Sequence, residues 1–446
     1  MIDWIDLFLV PAYVLLFVII LWFIKKRNPQ NELYQRYLIK GFLFKVVCAI
    51  FYAFLLYYHY GFGDSLTYFK DTIYFKHLIR INADSFGHLM SSDYKTIRDA
   101  HNVIGGGSSS GLMVEKIALL LSYIGFNRYL VVTLFFAIAA YSGVFKLFQA
   151  MCYIMPEWHK RLAIFIIFFP TLSVFGSGVL KDSLCMAGLG WMFYAGHKMI
   201  QNKKFSLKYF LIMVAGATVL VFIKVYILAA FIIPYILYLL IFMLRRIPSK
   251  FIRRTVLPVL LAVLALVYIF NAKGIDESLG YYAVDKLFDN MKEQQYNYIN
   301  ESGDAGGMFD LGYFEPTLSG FIKKMPDGIA ATLYRPFPWE SKNIIMLLFS
   351  LESLSLTVLT VYVFIKARPR FFFSTIMFHP FTFLCISFSL LFAAMIGLST
   401  FNFGTLARYR IPIIPFYVSG MFSILYFQMQ RGRQKHRHTE LQSAAG

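Results

Sequence analysis

The chain has 446 residues, of which 58% are hydrophobic and 19% aromatic, and only 15% are charged. Soluble globular proteins average about 25% charged residues, whereas this chain contains many apolar runs of the ~20 residues that cross a bilayer. The composition therefore excludes a soluble globular protein. It predicts an all-α fold, a polytopic helical bundle in a membrane.

The net charge of +19 raises the question of a nucleic-acid partner. The basic residues cluster in short loops between apolar runs, which is the pattern that marks the cytoplasmic face of membrane proteins. The chain has no aromatic and basic module of the kind that nucleic-acid binders carry. We therefore expect no nucleic acid, and expect the positive charge to face the headgroups of anionic membrane lipids.

Eleven apolar runs are long enough to be predicted as membrane spans. The first follows an acidic N-terminus and precedes no small-residue cleavage site, so we interpret it as a transmembrane helix rather than a signal peptide. In chain order the predicted spans are 7–24, 38–58, 128–150, 162–177, 183–199, 207–223, 226–244, 255–272, 343–365, 380–399 and 411–429.

The basic clusters fall in alternate connections between these spans, which places all of them on one side of the membrane. That side is predicted to be cytoplasmic, with the N-terminus outside and 430–446 as a basic cytoplasmic tail. Only Glu32, Glu157 and Glu440, three of the 24 acidic residues, fall on this side. We expect a multi-pass protein of the plasma (inner) membrane whose outer face carries the function.

Two long external segments interrupt what we otherwise interpret as a single transmembrane domain, residues 1–446. The first, 59–127, contains a glycine and serine hinge at 105–110 and a predicted interfacial or re-entrant helix at 112–126, with Glu115 on its polar side. The second, 273–342, contains a predicted amphipathic helix at 281–300. Loops of this length are functional or disordered, and we interpret the second as a candidate lid.

The first candidate site is Gly63-Asp64-Ser65-Leu66-Thr67-Tyr68, directly after the second span. Gly61 and Gly63 allow the backbone to turn close to the membrane. Asp64 is thereby held at the interface, where a carboxylate can serve as a general base. The alternative is that Asp64 caps a helix.

The second candidate site is the connection between the fourth and fifth spans, where Gly176 and Gly178 precede Lys181 and Asp182. The connection is so short that both ionisable residues must lie at or within the bilayer edge, which is costly and typical of functional residues. The alternative is a self-satisfied pair that caps the next helix. Lys224 interrupts a later apolar run, either by snorkelling to headgroups or by contacting a substrate.

The third candidate site is Tyr334-Arg335-Pro336-Phe337-Pro338-Trp339-Glu340, before the ninth span. The prolines stiffen it, and Arg335 and Glu340 either pair or contact a substrate. Glu352 lies within the ninth span, and we interpret it as an intramembrane acid whose charge is satisfied inside the bundle.

The fourth candidate site is the segment 402–416, which contains Arg408 and Arg410. Pro412 biases the residue before it away from helix, and in an extended segment the two arginines share a face. Two guanidinium groups on one face form a fork for phosphate or pyrophosphate. The alternative is that both side chains snorkel to lipid headgroups.

The motifs together resemble a known class of enzymes. Asp64 and Tyr68 form an Asp-x-x-x-Tyr segment in the first long external loop, which resembles membrane glycosyltransferases of the GT-C class. Arg408 and Arg410 form an Arg-x-Arg at a late external edge, which resembles O-antigen and exopolysaccharide polymerases. Asp64 follows the second predicted span here, whereas in the GT-C class the acid follows the first.

The resemblance implies a GT-C-like bundle and a glycosyltransferase or polymerase that uses polyprenyl-phosphate- or pyrophosphate-linked sugars on the outer face. It implies that Asp64, Lys181 and Asp182 are catalytic and that Tyr68, Arg335, Glu340, Arg408 and Arg410 bind substrate. It indicates no certain cofactor and leaves a divalent cation open. Polysaccharide-export or assembly proteins are the implied partners. The alternatives are a transporter or flippase of lipid-linked glycans, or a non-catalytic scaffold in an envelope-polysaccharide complex.

Overall fold

A computed structural model describes residues 1–91, 96–97, 108–202, 205–244, 293, 296, 307–312, 315 and 317–445. The predicted span 255–272, the predicted amphipathic helix 281–300 apart from two residues, and the glycines of the predicted hinge lie outside the described residues. Two compact units divide the chain, Met1–Leu228 (unit 1) and Ala229–Gly446 (unit 2).

The regular elements in these ranges are helical, apart from an isolated β-bridge between Met308 and Asn402. In chain order they are α1 Asp6–Lys26, α2 Glu32–Phe54, α3 Asp64–Ile81, α4 Asp84–Ser91, α5 Ser109–Ile124, α6 Tyr129–Ile154, α7 His159–Ile166, α8 Pro170–Phe175, α9 Lys181–Asn202, α10 Leu207–Leu244, α11 Leu318–Tyr334, α12 Ile344–Ala367, α13 Pro369–Phe378, α14 Pro380–Ser399, α15 Phe403–Tyr409 and α16 Ile413–Ala445. A short π-helix, Leu55–Tyr60, extends α2, and 3-10 turns lie at Pro156–Trp158 and Pro338–Glu340.

Six of the described helices are long and apolar enough to cross a membrane: α1, α2 with its π-helical extension, α6, α10, α12 and α14. The pair α15 and α16, bent by 65°, makes a seventh candidate. The predicted class, a helical multi-pass membrane protein, is therefore confirmed. The predicted count of eleven spans exceeds the number that the described helices supply.

The predicted span 162–177 is broken into two short helices, α7 and α8. Proline disfavours helical geometry in the residue before it, and Phe169, directly before Pro170, is extended with ψ of 121°. Ser173 Oγ donates a hydrogen bond of 3.0 Å to the carbonyl of Ile167, which would otherwise be unsatisfied at the break. The segment is therefore not one continuous helix, because hydropathy alone does not weigh this local backbone constraint.

The predicted spans 207–223 and 226–244 correspond to two helices that join directly at a kink within α10, where Lys224 has non-helical backbone (φ −148°, ψ 77°). The sequence correctly marks Lys224 as an interruption of the apolar run. The interruption is a kink in α10 rather than a loop between two helices.

The predicted external segment 59–127 is folded into α3, α4 and α5 in its described parts. Gly61 and Gly63 have φ of 70° and 134°, conformations that side chains beyond glycine rarely adopt, so the predicted turn after the second span is confirmed. The helix predicted at 112–126 is also present as α5. Its Glu115 is buried, however, so the predicted exposure of Glu115 on a polar face is wrong.

Within unit 1 the core is built by close packing of α6 and α9. A Cβ atom placed on Gly190 would lie 2.0 Å from the carbonyl oxygen of Gly143, so the two backbones touch. Small residues permit such contacts between membrane helices, where dispersion replaces the hydrophobic effect as the main attraction. This packing fixes α9, whose first residue is Lys181, against the rest of unit 1.

Within unit 2 the core is formed by α14 packed against α11 and α16. Gly397 of α14 approaches Gly328 of α11. A Cβ atom placed on Gly397 would lie 2.1 Å from the Gly328 carbonyl oxygen. Helix α11 belongs to the predicted second external segment, so this part of that segment is packed helix.

Candidate functional site

The start of α3 and the connection between α8 and α9 are joined by a buried serine. Ser65 Oγ accepts a hydrogen bond of 3.1 Å from the backbone N–H of Val179 and lies 2.9 Å from the hydroxyl of Tyr129. Ser65 is fully buried. The two segments that carry Tyr68 and Lys181 are therefore held together inside unit 1.

Lys181, the first residue of α9, contacts two of the neighbouring elements. Its Nζ donates a hydrogen bond of 3.0 Å to Ser108 Oγ and lies 5.9 Å from the ring centroid of Tyr68. Ser108 also caps α5, because its Oγ accepts a hydrogen bond from the Gly111 N–H. The structure thus brings together the predicted site residues Lys181 and Tyr68.

Beside Lys181 lies a pair of buried carboxyl groups, Asp71 on α3 and Glu115 on α5. The two helices meet here, because Thr72 Oγ1, next to Asp71, lies 3.4 Å from the Glu115 carbonyl oxygen, and both carboxyl side chains are buried. Burial, followed by the proximity of Asp71, raises the pKa of Glu115 to about 8, and the charge of Lys181 opposes this rise. We call Asp71, Glu115 and Lys181 the carboxyl–lysine cluster.

Asp182, the second residue of α9, forms a buried ion pair with Lys224 at the kink of α10. Lys224 Nζ lies 2.5 Å from Asp182 Oδ1, and both side chains are almost completely buried. Burying one of these charges alone would be strongly unfavourable. The predicted pairing of Lys181 with Asp182 is therefore not the one observed, and Lys224 does not snorkel to the surface.

Asp64 lies in the first turn of α3, where a carboxylate interacts favourably with the helix dipole. Its side chain is exposed, in contrast to Ser65 and Tyr68. A solvent-exposed position is compatible with contact to a ligand that approaches unit 1 at the start of α3. Its assignment as a general base stays a prediction.

In unit 2 the predicted pair of Arg335 and Glu340 is formed. The Arg335 guanidinium donates to both Glu340 carboxylate oxygens, including a bond of 3.0 Å from Nε to Oε1, and the Phe337 N–H donates to Glu340 Oε2. Burial by itself would raise the pKa of Glu340, but these hydrogen bonds outweigh it and leave the pKa below its usual value.

The Arg335 guanidinium also lies near two aromatic rings, 5.3 Å from Phe309 and 5.2 Å from Phe403. These rings stack on each other with centroids 4.5 Å apart. The stack is held by antiparallel backbone contacts, since Phe403 N–H donates to the Gly307 carbonyl. Arg335 is thereby oriented by stacking as well as by charge.

Arg410 is almost completely buried, with 1% of its surface exposed. Its Nη1 donates to Ser353 Oγ at 2.7 Å, and its Nη2 lies 3.6 Å from Glu352 Oε2. This contact gives Glu352 an opposite charge inside the bundle, as the sequence predicts. Arg410 also approaches the carbonyl of Arg335, at 3.4 Å, so Arg335, Glu340, Glu352 and Arg410 form one arginine cluster in unit 2.

The extended backbone predicted for 402–416 is not found. Asn402 accepts hydrogen bonds from the N–H groups of Gly404 and Thr405, and this cap starts the short helix α15. Arg408 is half-buried near the ring of Tyr409, whereas Arg410 points into the arginine cluster. The two guanidinium groups therefore do not form the predicted fork along an extended strand.

Sequence reasoning missed Lys45, which is buried in the middle of α2. Its Nζ donates a hydrogen bond of 3.1 Å to the carbonyl of Leu172 in α8. A carbonyl near the end of a short helix is a favourable acceptor for a cation. In the sequence, Lys45 is a single lysine inside an apolar run, as Lys224 is.

Sequence reasoning also missed Asp71, and it did not predict that Glu115 is buried. Both occur in segments that hydropathy assigns to a loop and to an interfacial helix, so nothing in the local sequence predicts their burial. The period of α3 does place Tyr68 and Asp71 three residues apart, on one helix face.

Among the residues that the structure describes, no group of three or more His, Cys, Asp or Glu side chains is arranged to hold a metal ion. The four cysteines are all buried and free. Comparisons of the chain with family models, with curated proteins and with solved structures find no significant match. The carboxyl–lysine cluster and the arginine cluster are therefore the features that indicate function.

Proposed function

We propose that this protein is a membrane glycosyltransferase or polysaccharide polymerase that uses polyprenyl-phosphate- or pyrophosphate-linked sugars on the outer face of the plasma membrane. The observation that carries the proposal is the placement of Lys181 beside Tyr68 in unit 1. A half-buried cation at the start of α9 provides a contact for a phosphate group, and the buried ring of Tyr68 lies beside that cation and orients it.

In this proposal Lys181 contacts the phosphate of the donor. Its charge stabilises the negative charge that grows on the phosphate as the glycosidic bond breaks. Tyr68, which is buried beside Lys181, orients that lysine, and Asp64, exposed at the start of α3, accepts the proton of the acceptor hydroxyl. Asp182 positions Lys181, because its ion pair with Lys224 anchors the first turn of α9.

The proposal gives the unit 2 residues two kinds of role. Arg335, Glu340 and Arg410 make their contacts within the arginine cluster, which supports a positioning role for the loop before α12. Arg408 is half-buried, and its binding of a phosphate stays a prediction for unit 2 alone.

The decisive experiment is glycan analysis of a strain that lacks this protein and is complemented with Lys181→Ala, Lys181→Arg, Asp64→Ala or Arg408→Ala. We expect loss of glycan product in Lys181→Ala and partial retention in Lys181→Arg, because arginine keeps the charge. Lys324→Ala, at a partly exposed ion pair in unit 2, is the control. Normal glycan from all three alanine variants at normal protein level would contradict the enzyme and leave the scaffold alternative.

A second candidate function is transport of a lipid-linked glycan. One observation favours it, the non-helical backbone of α10 at Lys224 together with its buried ion pair. Discontinuous helices with charged residues inside the membrane are typical of transporters. In that case the ion pair would break and reform as the protein changes conformation.

Reconstitution separates the two functions. The purified protein is placed in liposomes that contain a fluorescent polyprenyl-phosphate sugar. Transfer of the sugar to an added acceptor supports the enzyme. Transfer of the lipid between leaflets without a sugar product, abolished by Asp182→Asn, supports transport.

A further inference from the structure

The proposed chemistry makes no use of the two carboxyl groups in the carboxyl–lysine cluster. Asp71 and Glu115 are 7% and 2% exposed, and they lie where α3 and α5 pack, with Thr72 Oγ1 3.4 Å from the Glu115 carbonyl oxygen. Ionised carboxylates only accept hydrogen bonds. Two such carboxylates in one buried site also repel each other, so one proton on the pair lowers its energy, as in other carboxyl pairs that share a site.

The pair also has a hydrogen-bonding atom that the fold leaves open. Glu115 Oε1 is buried and has no hydrogen-bond partner among the described residues. A buried polar atom without a partner is costly, and where it persists it needs a functional or structural explanation. This oxygen can accept a proton or a hydrogen bond without disturbing the contact to Asp71.

Helices α3, α4, α6 and α9 pack against α5, and their titratable groups, which include Asp84 and His88 of α4, define the surroundings of the pair. Helix α3 contributes Asp71 and Tyr68, helix α9 contributes Lys181 and Asp182, and helix α6 contributes Tyr129. Tyr129 is hydrogen bonded to Ser65, and Asp182 is paired with Lys224. Lys181 is then the cation whose charge acts on Glu115.

We infer that Asp71 and Glu115 form a proton-binding site that holds one shared proton at neutral pH, and that the charge at Lys181 controls its release. The positive charge of Lys181 favours the ionised form of the pair. A ligand anion that neutralises Lys181 therefore promotes proton uptake, and by linkage protonation of the pair strengthens binding of that anion. The site couples one proton to an anionic ligand such as a phosphate.

The test is an infrared titration of the full-length protein in lipid nanodiscs, following the C=O stretch of protonated carboxyl groups. We expect a band that disappears as the pH rises through about 8 and is absent in Glu115→Gln. Asp71→Asn should shift the midpoint downward, because the neighbouring negative charge is removed. Lys181→Gln should shift it upward, whereas Lys181→Arg should leave it within a few tenths of a pH unit.

Two results would overturn the inference: a wild-type spectrum without a protonated carboxyl band at pH 6, or a midpoint that is the same in Lys181→Gln and Lys181→Arg. Gel filtration and thermal unfolding confirm that each variant is folded. Inorganic pyrophosphate is added in a separate arm and should raise the wild-type midpoint. A midpoint that moves in Lys181→Gln but not with pyrophosphate would contradict phosphate binding at Lys181 and leave the proton site in place.

Discussion

At the scale of single residues, ionisable groups in apolar surroundings occur in contact with other such groups. Asp182 contacts Lys224, Arg410 contacts Glu352, and Asp71 lies near Glu115 where α3 and α5 pack. An isolated charge in this environment costs several kcal/mol, and pairing offsets much of that cost. Most of these partners lie far apart in the chain, so the sequence shows the charges but not their pairing.

The ion pair between Asp182 and Lys224 should contribute measurably to stability. Lys224→Met leaves Asp182 buried without its cation, and we expect a loss of about 3–5 kcal/mol. The double variant Asp182→Asn with Lys224→Met should recover part of this loss, because neither charge remains. Thermal unfolding in detergent is the measurement, and Lys324→Met at a partly exposed pair is the control. Equal effects of Lys224→Met and Lys324→Met would contradict the prediction.

Glu115 should make stability depend on pH. Its pKa is raised from 4.5 to about 8 in the folded protein. Its contribution to the free energy of unfolding is therefore complete below pH 4.5 and is lost as the pH rises toward 8. The slope from one such group is about 1.4 kcal/mol per pH unit within this window. Glu115→Gln should flatten the dependence of melting temperature on pH, while Asp327→Asn, at an exposed carboxylate, should leave it unchanged.

Substitutions of Arg408, in α15, and of Arg410, at its C-terminal end, should differ in their effect on stability. Arg410→Ala removes contacts to Ser353 and Glu352 and leaves a buried carboxylate, so we expect a loss of about 3–5 kcal/mol. Arg408→Ala removes a half-buried side chain and should cost less than about 1 kcal/mol. Melting temperatures of the two purified variants compare them directly. A larger loss in Arg408→Ala would mean that the structural role has been assigned to the wrong arginine.

At the scale of elements, local backbone chemistry decides where helices begin, break and touch. Pro170 separates α7 from α8, and Asn402 starts α15. Gly143 and Gly190 allow α6 and α9 to meet backbone to backbone. Each effect follows from the residue type, but only the fold shows which helix lies opposite each glycine.

Packing between α6 and α9 should be sensitive to a single methyl group. Gly190→Ala would place a Cβ 2.0 Å from the Gly143 carbonyl oxygen, so the helices must move apart. We expect a loss of about 1–3 kcal/mol, which is typical of overpacking. Gly87→Ala in α4 is the matched control, because an added Cβ there meets no atom within 4 Å. It should be neutral or stabilising by up to ~1 kcal/mol, as thermal unfolding can test.

At the scale of the whole molecule, the predicted topology determines which residues a reagent outside the cell can reach. Phe62 and Trp339 are exposed in their respective units, and the positive-inside pattern predicts both on the outer side. Phe62→Cys and Trp339→Cys should react with a membrane-impermeant thiol reagent added to intact cells. Gln434→Cys in α16 should react only after permeabilisation. The buried native cysteines give a low background, and labelling of Gln434→Cys in intact cells would reverse the predicted orientation.

The sequence by itself determined the class of the protein and the ends of most described long apolar helices, because hydropathy over ~20 residues is a property of the local chain. It also singled out Lys181, Asp182, Lys224 and Arg335 as charges near apolar runs. Only the tertiary structure decided which of these charges are paired and which helices are broken. It placed Glu115 against Asp71, and it turned Arg410 into the interior of unit 2. The physical reason is that the cost of a buried charge depends on its partner in space, and that partner is set by how the helices pack.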